Sequence, residues 1–202
     1  TNAVTCKGGS DGEATVTPSG GWGDYTYAWN TSPVQTTAAA SGLTAGTYEV
    51  TVTDLEGCTA TASASVSEPS ESIDATASQT NAVTCKGGSD GEATVTPSGG
   101  WGTYTYAWNT SPVQTTAAAS GLIAGTYEVT VTDLEGCTTT ASATVSEPAQ
   151  SIAATASQTN AVTCKGGSDG EATVTPSGGW GDYTYLWDAN TGSQTTAAAS
   201  GL

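Results

Sequence analysis

The chain has 202 residues and a formal net charge of −16, its only cations being Lys7, Lys86 and Lys165, and it contains no His, Phe or Met. Such a surface repels nucleic acid and anionic lipid, and no stretch nears the ~20 apolar residues that span a bilayer. With no histidine, and with acids on turns rather than in a cleft, the arrangements that catalyse are missing and no enzyme is expected.

The segment TNAVTCKGGSDGEATVTPSGGWG runs from Thr1 to Gly23 and recurs from Thr80 to Gly102 and from Thr159 to Gly181. Cys6, Cys85 and Cys164 are 79 residues apart, and Cys58 and Cys137 keep the same step. The chain is therefore a tandem array of small modules. Residues 1-69 are a copy lacking its first strand, 70-148 a complete copy, and 149-202 a copy truncated before its last hairpin. Two explanations of the partial copies stay open: the chain is a window onto a longer polypeptide, or neighbouring chains supply the missing strands.

In the middle copy the elements come in this order. Ser72 to Ala77 alternates weakly and predicts a first strand, which Ala82 to Cys85 could extend. Lys86 to Gly91 has turn chemistry. Glu92 to Thr96 alternates with period two, with Ala93 and Val95 on one face. Gly99-Gly100-Trp101-Gly102 reads as a loop, and Tyr104 to Trp108 as a strand with its aromatics on one side. A turn at Pro112 precedes a short strand over Gln114 to Ala119. Gly125 to Thr132 points Tyr127, Val129 and Val131 inward. The chain turns at Asp133 to Gly136 and returns from Cys137 to Val145 with Ala141, Ala143 and Val145 inward.

Six or seven short strands with no helical period predict an all-β fold: tandem immunoglobulin-like antiparallel β-sandwich repeats of 79 residues arranged end to end. Trp108 in mid-copy, followed by a tyrosine-bearing late strand, fits that plan. A small barrel is the alternative. So thin a core of Val, Ala, Tyr and Trp needs stapling, and regularly placed cysteines in such a chain indicate disulfides and an oxidising, extracellular setting.

The motifs VTCKGGSDGEATV, SGGWGxYTYxW and SGLxAGTYEVTVTDLEGC, followed by a Thr/Ala strand ending in SEP, resemble the SprB-type repeat of surface adhesins in gliding and other Bacteroidota. The resemblance covers the whole chain. It implies a secreted, non-enzymatic cell-surface protein, exported by the type IX system and associated with gliding motility, with no known ligand. The third copy departs from the pattern, since Trp187-Asp188-Ala189-Asn190-Thr191-Gly192 replaces the NTSPV loop.

Two disulfide pairings compete. Within a copy, Cys6 would join Cys58 and Cys85 would join Cys137, leaving Cys164 without a mate. Across the junction, Cys6 would join Cys137. In a sandwich of ordinary strand order the two cysteines of one copy lie at opposite poles, too far apart for a disulfide, which requires Cα atoms within about 7 Å.

Carboxylates gather at turns as Asp11 with Glu13, Asp90 with Glu92, and Asp133 with Glu135. They are candidates for an interdomain calcium site, against the alternative of solvated turn residues; no other cofactor is expected. Trp22, Trp101 and Trp180 in the Gly-Gly-Trp-Gly loops either stack on a neutral glycan or pack against the protein. The three lysines either pair with carboxylates or help a glycine turn seat an anion. Expected partners are neighbouring repeats, in a self-assembled fibre, or a surface polysaccharide. The functional expectations are a rigid stalk or filament and, alternatively, a multivalent glycan-binding module.

Overall fold

The computed structural model describes residues 1–202. In the first copy, β1 (Gly12–Thr15) pairs antiparallel with β3 (Ala39–Leu43). β2 (Thr26–Trp29), β4 (Gly46–Thr53) and β5 (Thr59–Val66) form a second antiparallel sheet in the order β2-β4-β5. Alternation decides which side chains meet between the sheets. Ala14, Ala40 and Leu43 come from the first sheet, and Trp29, Val50, Val52 and Val66 from the second; Val4 completes the core. Trp29 is buried, and its indole N–H donates to the Thr37 carbonyl at 2.9 Å, so its polar edge is satisfied. Gly12 sits where the sheets close most tightly. A Cβ there would lie 2.5 Å from Val66 Cγ1 and 2.8 Å from the Leu43 carbonyl oxygen.

The later strands repeat this plan. They are β6 (Asp74–Asn81), β7 (Gly91–Ser98), β8 (Thr105–Trp108), β9 (Ala118–Leu122), β10 (Gly125–Thr132) and β11 (Thr138–Val145), then β12 (Ala153–Asn160), β13 (Glu171–Ser177) and β14 (Ala198–Ser200). The middle copy has sheets ordered β6-β7-β9 and β11-β10-β8. Numbered within a copy, the orders are 1-2-4 and 6-5-3, which is the A-B-E and G-F-C arrangement of an immunoglobulin-like sandwich. The fold is all-β, in tandem repeats, and the two separate sheets exclude the barrel alternative.

Two predicted elements are corrected. Ala82 to Cys85 does not extend the first strand, because Val83 instead donates its backbone N–H to the Ser146 carbonyl at 2.9 Å. The strand predicted over Gln114 to Ala119 lies at Ala118–Leu122. The carbonyls before it are used by tryptophan: Trp108 donates its backbone N–H to Gln114 and its indole N–H to Thr116, each at 3.0 Å. In the first copy the Gln35 side chain takes the place of a strand, bonding both the N–H and the C=O of Ser41 at 2.9 Å.

The chain forms two compact units. The first comprises Thr1–Ala77, Val95–Ala117 and Tyr127–Ser142; the second comprises Ser78–Thr94, Ala118–Thr126 and Ala143–Leu202. In the second unit β12 pairs with β13 from Ala153↔Ser177 to Asn160↔Glu171, and β13 pairs with β14. The loop that departs from the repeat pattern in the third copy contains a 3-10 turn, Ala189–Thr191. It closes as the other two loops do, with Trp187 N–H donating to Gln194 at 2.9 Å.

Candidate functional site

Within the first unit, the Val4–Asp11 turn of the first copy meets two features of the second copy: the Gly-Gly-Trp-Gly loop and the Asp133–Cys137 turn. The first copy supplies a rigid seat. Asp11 Oδ1 accepts the Thr5 backbone N–H at 3.0 Å, Asp11 Oδ2 accepts the Thr5 hydroxyl, and Gly9 N–H donates to the Cys6 carbonyl at 2.8 Å. The Thr5 hydroxyl, then its backbone N–H, hold the Asp11 carboxyl below the usual aspartate range.

Behind this seat lies an ion pair. Lys7 Nζ is 2.6 Å from Glu68 Oε1, while Gly8 N–H donates to Glu68 Oε2 at 2.7 Å. Lys86 and Gly87 hold Glu147 in the same way, Gly87 N–H at 2.7 Å. The glycine turn thus seats an anion, and the anion is the glutamate of the chain's own Ser-Glu-Pro segment. Both glutamates are held below the usual range, chiefly by the lysine side chain and then by the glycine N–H.

The second copy supplies the part that docks, and Asp133 organises it. The residue is only 5% exposed; its Oδ2 accepts the Trp101 N–H at 3.0 Å, and its Oδ1 accepts the N–H groups of Glu135 and Cys137 at 3.1 and 2.9 Å. Burial acts to raise its pKa, but the N–H groups of Trp101, Cys137, Glu135 and Gly136 outweigh it, and the net shift is downward. One carboxylate therefore holds an indole and a cysteine side by side. The indole N–H of Trp101 donates to the Thr5 carbonyl at 2.7 Å and approaches that of Val4 at 3.3 Å. Beside it Cys137 joins Cys6, with Cα atoms 5.7 Å apart and 131 residues between them in sequence.

The linker is anchored to the same loop. Gly100 N–H donates to Glu71 at 3.0 Å, and a Cβ on Gly99 would lie 2.0 Å from the Ser72 carbonyl oxygen, so only glycine fits. The second unit repeats the arrangement one period on. Trp180 donates to Val83 at 3.0 Å across the same 97 residues that separate Trp101 from Val4, and Gly179 N–H donates to Gln150 at 2.9 Å.

Several expectations are corrected here. The intra-copy disulfides are not present: Cys58, Cys85 and Cys164 are free and exposed, and Cys6 is joined to Cys137. The reason is the strand order, which separates the two cysteines of one copy. The calcium candidates do not form a cage, and no three His, Cys, Asp or Glu side chains converge on a metal position. Asp11 and Asp90 are occupied by Thr5 and Thr84, Asp133 by its own loops, and Glu13 and Glu92 by the amides of Asn2 and Asn81 at 2.8 and 2.7 Å. Asp11 and Glu135 do line one open groove with Trp101, of about 410 Å³, but calcium takes 6–8 oxygens and these two residues do not provide them. Of the glycan candidates, Trp101 and Trp180 bond protein carbonyls, Trp180 while still 56% exposed, and Trp22 is 74% exposed.

Asp133, expected at the junction as a calcium candidate, instead holds the N–H groups of Trp101, Glu135 and Cys137, and Glu68, Glu147 and Gly99 are junction residues that sequence reasoning missed. Their signal was recurrence: Asp-Leu-Glu-Gly-Cys and Ser-Glu-Pro return at the period of the cysteines they serve.

These features define a class: a tandem β-sandwich protein whose copies meet through a tryptophan and a linker contact, with a disulfide beside them between the first two. The SprB repeat model matches residues 1–34, 76–113 and 155–192, more than half of the chain, and the chain belongs to the SprB repeat family, a family of surface-adhesin type. Among solved structures it is similar to the N-terminal eight immunoglobulin domains of the Down syndrome cell adhesion molecule, isoform 1.30.30. That likeness has a TM-score of 0.31 at 13% identity and covers 86% of this chain but only 26% of the other, too slight to carry an argument. No curated protein matches the chain. No helix is long and apolar enough to cross a membrane.

Proposed function

We propose that the chain is a non-enzymatic, load-bearing segment of a secreted, extracellular adhesin. In this reading each 79-residue copy is a folding module, and successive modules are clasped into a stiff stalk or filament. The observation that supports it is the repeated tryptophan contact: Trp101 on Thr5 and Trp180 on Val83, each indole directed to the preceding copy. A disulfide beside that contact suits an oxidising compartment and resists pulling in a way that a half-buried indole alone does not. Export by the type IX system and service in gliding motility belong to the same proposal.

Small-angle scattering of the 202-residue chain tests it, with and without reductant. An elongated particle that gains flexibility on reduction is the expected result. A compact particle would overturn the stalk.

The exposure of Trp22 favours a second reading, a weak glycan site repeated for avidity. That reading requires a saturable change in tryptophan fluorescence on adding a neutral polysaccharide, lost in Trp22→Ala. The stalk reading expects no such change.

A further inference from the structure

A β-strand at the margin of a sheet turns half of its backbone N–H and C=O groups outward, and proteins blunt such edges with short strands, charges, proline or bulges. Most edges in this chain are blunted. At β2 and β8 the outward N–H groups of Trp29 and Trp108 are taken by the Gln35 and Gln114 carbonyls, each at 3.0 Å. At β3 the Gln35 side chain binds both backbone groups of Ser41, and Gln194 does the same to Ser200 of β14. β6 opens on the charge of Asp74.

The strands β5 (TATASASV) and β11 (TTTASATV) are not blunted. Each has 8 residues and no charge, proline or glycine, although the chain carries 19 Asp and Glu. Each ends its sheet, β5 with the middle copy following it and β11 with the first copy preceding it, and neither pairs with a strand of the adjoining copy. Thr61 and Ser63 of β5, and Thr140 and Ser142 of β11, are exposed. The edge is covered only past the end of the strand, where Val4 N–H donates to Ser67 and Val83 N–H to Ser146, at 2.8 and 2.9 Å.

We propose that a second copy of this chain docks on this edge, strand to strand and antiparallel, so that one sheet continues across two chains. Charge selects the occupant. A net charge of −16 repels a like chain except at an uncharged surface, whereas a cationic partner would be drawn to the acidic loops and not to these strands. The side chains then match. Period two admits only registers that keep the inner faces together, and these set hydroxyl against hydroxyl: with Ala141 opposite Ala141, Thr140 faces Ser142 and Thr138 faces Thr144. The contact is isologous when both chains use the same strand, and β5 and β11 are alike enough to serve either way. One such edge buries less than the ~1,200 Å² of a stable interface, so the association is weak, and it strengthens with salt as repulsion between the chains is screened. Edge pairing stands or falls independently of the tryptophan clasp.

The test uses the 202-residue chain with its free thiols alkylated, so that no disulfide forms between chains. Sedimentation at rising concentration and salt is combined with hydrogen exchange. Expected is a dimer at millimolar concentration that strengthens as salt is raised, with new protection confined to Thr59–Val66 and Thr138–Val145. Thr61 lies opposite Thr51, whereas Ser63 faces Glu49, so Thr61 takes an added charge with no like charge directly across from it. Thr61→Glu with Thr140→Glu, and Thr61→Lys with Thr140→Lys, should each weaken the dimer about tenfold, and an equimolar mixture of the two should restore it. Recovery of the intrachain Cys6–Cys137 peptide reports that a variant has folded, and where it is missing, protection in the parent chain decides. A monomer at every concentration and salt, protection at β6 or β12 instead, or a dimer indifferent to both variants overturns the edge pairing. So does a mixture that associates no better than either variant alone.

Discussion

Trp22 and Trp101 occupy the same position in neighbouring copies, and only their surroundings differ. Trp101 is half-buried with its indole N–H on the Thr5 carbonyl, whereas Trp22 is in solvent. Trp101→Ala removes that hydrogen bond and the packing of the ring, and is expected to cost about 1–2 kcal/mol in chemical denaturation. Trp22→Ala is expected to stay within about 0.5 kcal/mol of the parent, as surface substitutions usually do. Equal costs would place the contribution of Trp101 in its own loop and not at the junction. Asp133 is a sharper case, because a neutral isostere fails there. The amide of Asp133→Asn presents one oxygen and one NH₂, and the NH₂ must face either the Trp101 N–H or the N–H groups of Glu135 and Cys137. The expected loss is about 2 kcal/mol, read by denaturation, with slower formation of the Cys6–Cys137 bond on refolding.

At the scale of elements, the two sheets of the first copy come close at Gly12 of β1, whose added Cβ would meet Val66 of β5. Gly12→Ala drives a methyl group into Val66 Cγ1 and the Leu43 carbonyl, and the carbonyl cannot yield without opening the β1–β3 pair. A loss of about 1–3 kcal/mol is expected in thermal unfolding, the usual cost of overpacking. Cys137→Ser removes a crosslink spanning 131 residues, and chain entropy alone makes that worth about 3–5 kcal/mol, measurable as a lower denaturation midpoint in non-reducing buffer. These two sites also mark what sequence could reveal. The inward set Ala93, Val95, Val129, Val131, Ala143 and Val145 was legible because each strand is half-buried, and period two assigns faces. Trp108 was legible as core because a large ring needs both sheets. The segment before β9 was not, because Thr and Gln there resemble a strand while their carbonyls serve Trp108. Alternation within a copy also cannot say which copy a loop will touch. The cysteine partner became arguable only through strand order, and the role of Asp133 only once both of its loops were in place.

For the whole molecule, charge decides how stability responds to pH, and two effects oppose each other. At neutral pH the net charge of −16 resists compaction, and acidification toward the pI of about 4.1 relieves that repulsion. Against this stand the carboxylates that hold the seats and docking loops: Asp11, Asp54, Glu68, Asp90, Asp133, Glu147 and Asp169, all lowered below their ordinary values. A group whose pKa is lower folded than unfolded stabilises the fold above the unfolded value, and that contribution is lost as pH falls through the folded value. The aspartates start from 3.8 and the glutamates from 4.5, so the loss begins near those values and continues below them. Repulsion is relieved first and the acceptors are lost second. The melting temperature should therefore hold or rise from pH 7 to about pH 5, and then fall steeply below about pH 4. Salt separates the two effects. Raising ionic strength from 0.01 to 0.15 M shortens the screening length from about 30 to about 8 Å, which should raise the melting temperature at pH 7 and leave the acid limb nearly unmoved. The acid limb should flatten in Asp133→Asn, which has lost one titrating acceptor. A melting temperature that keeps rising through pH 3 would mean that these carboxylates do not hold the junctions together.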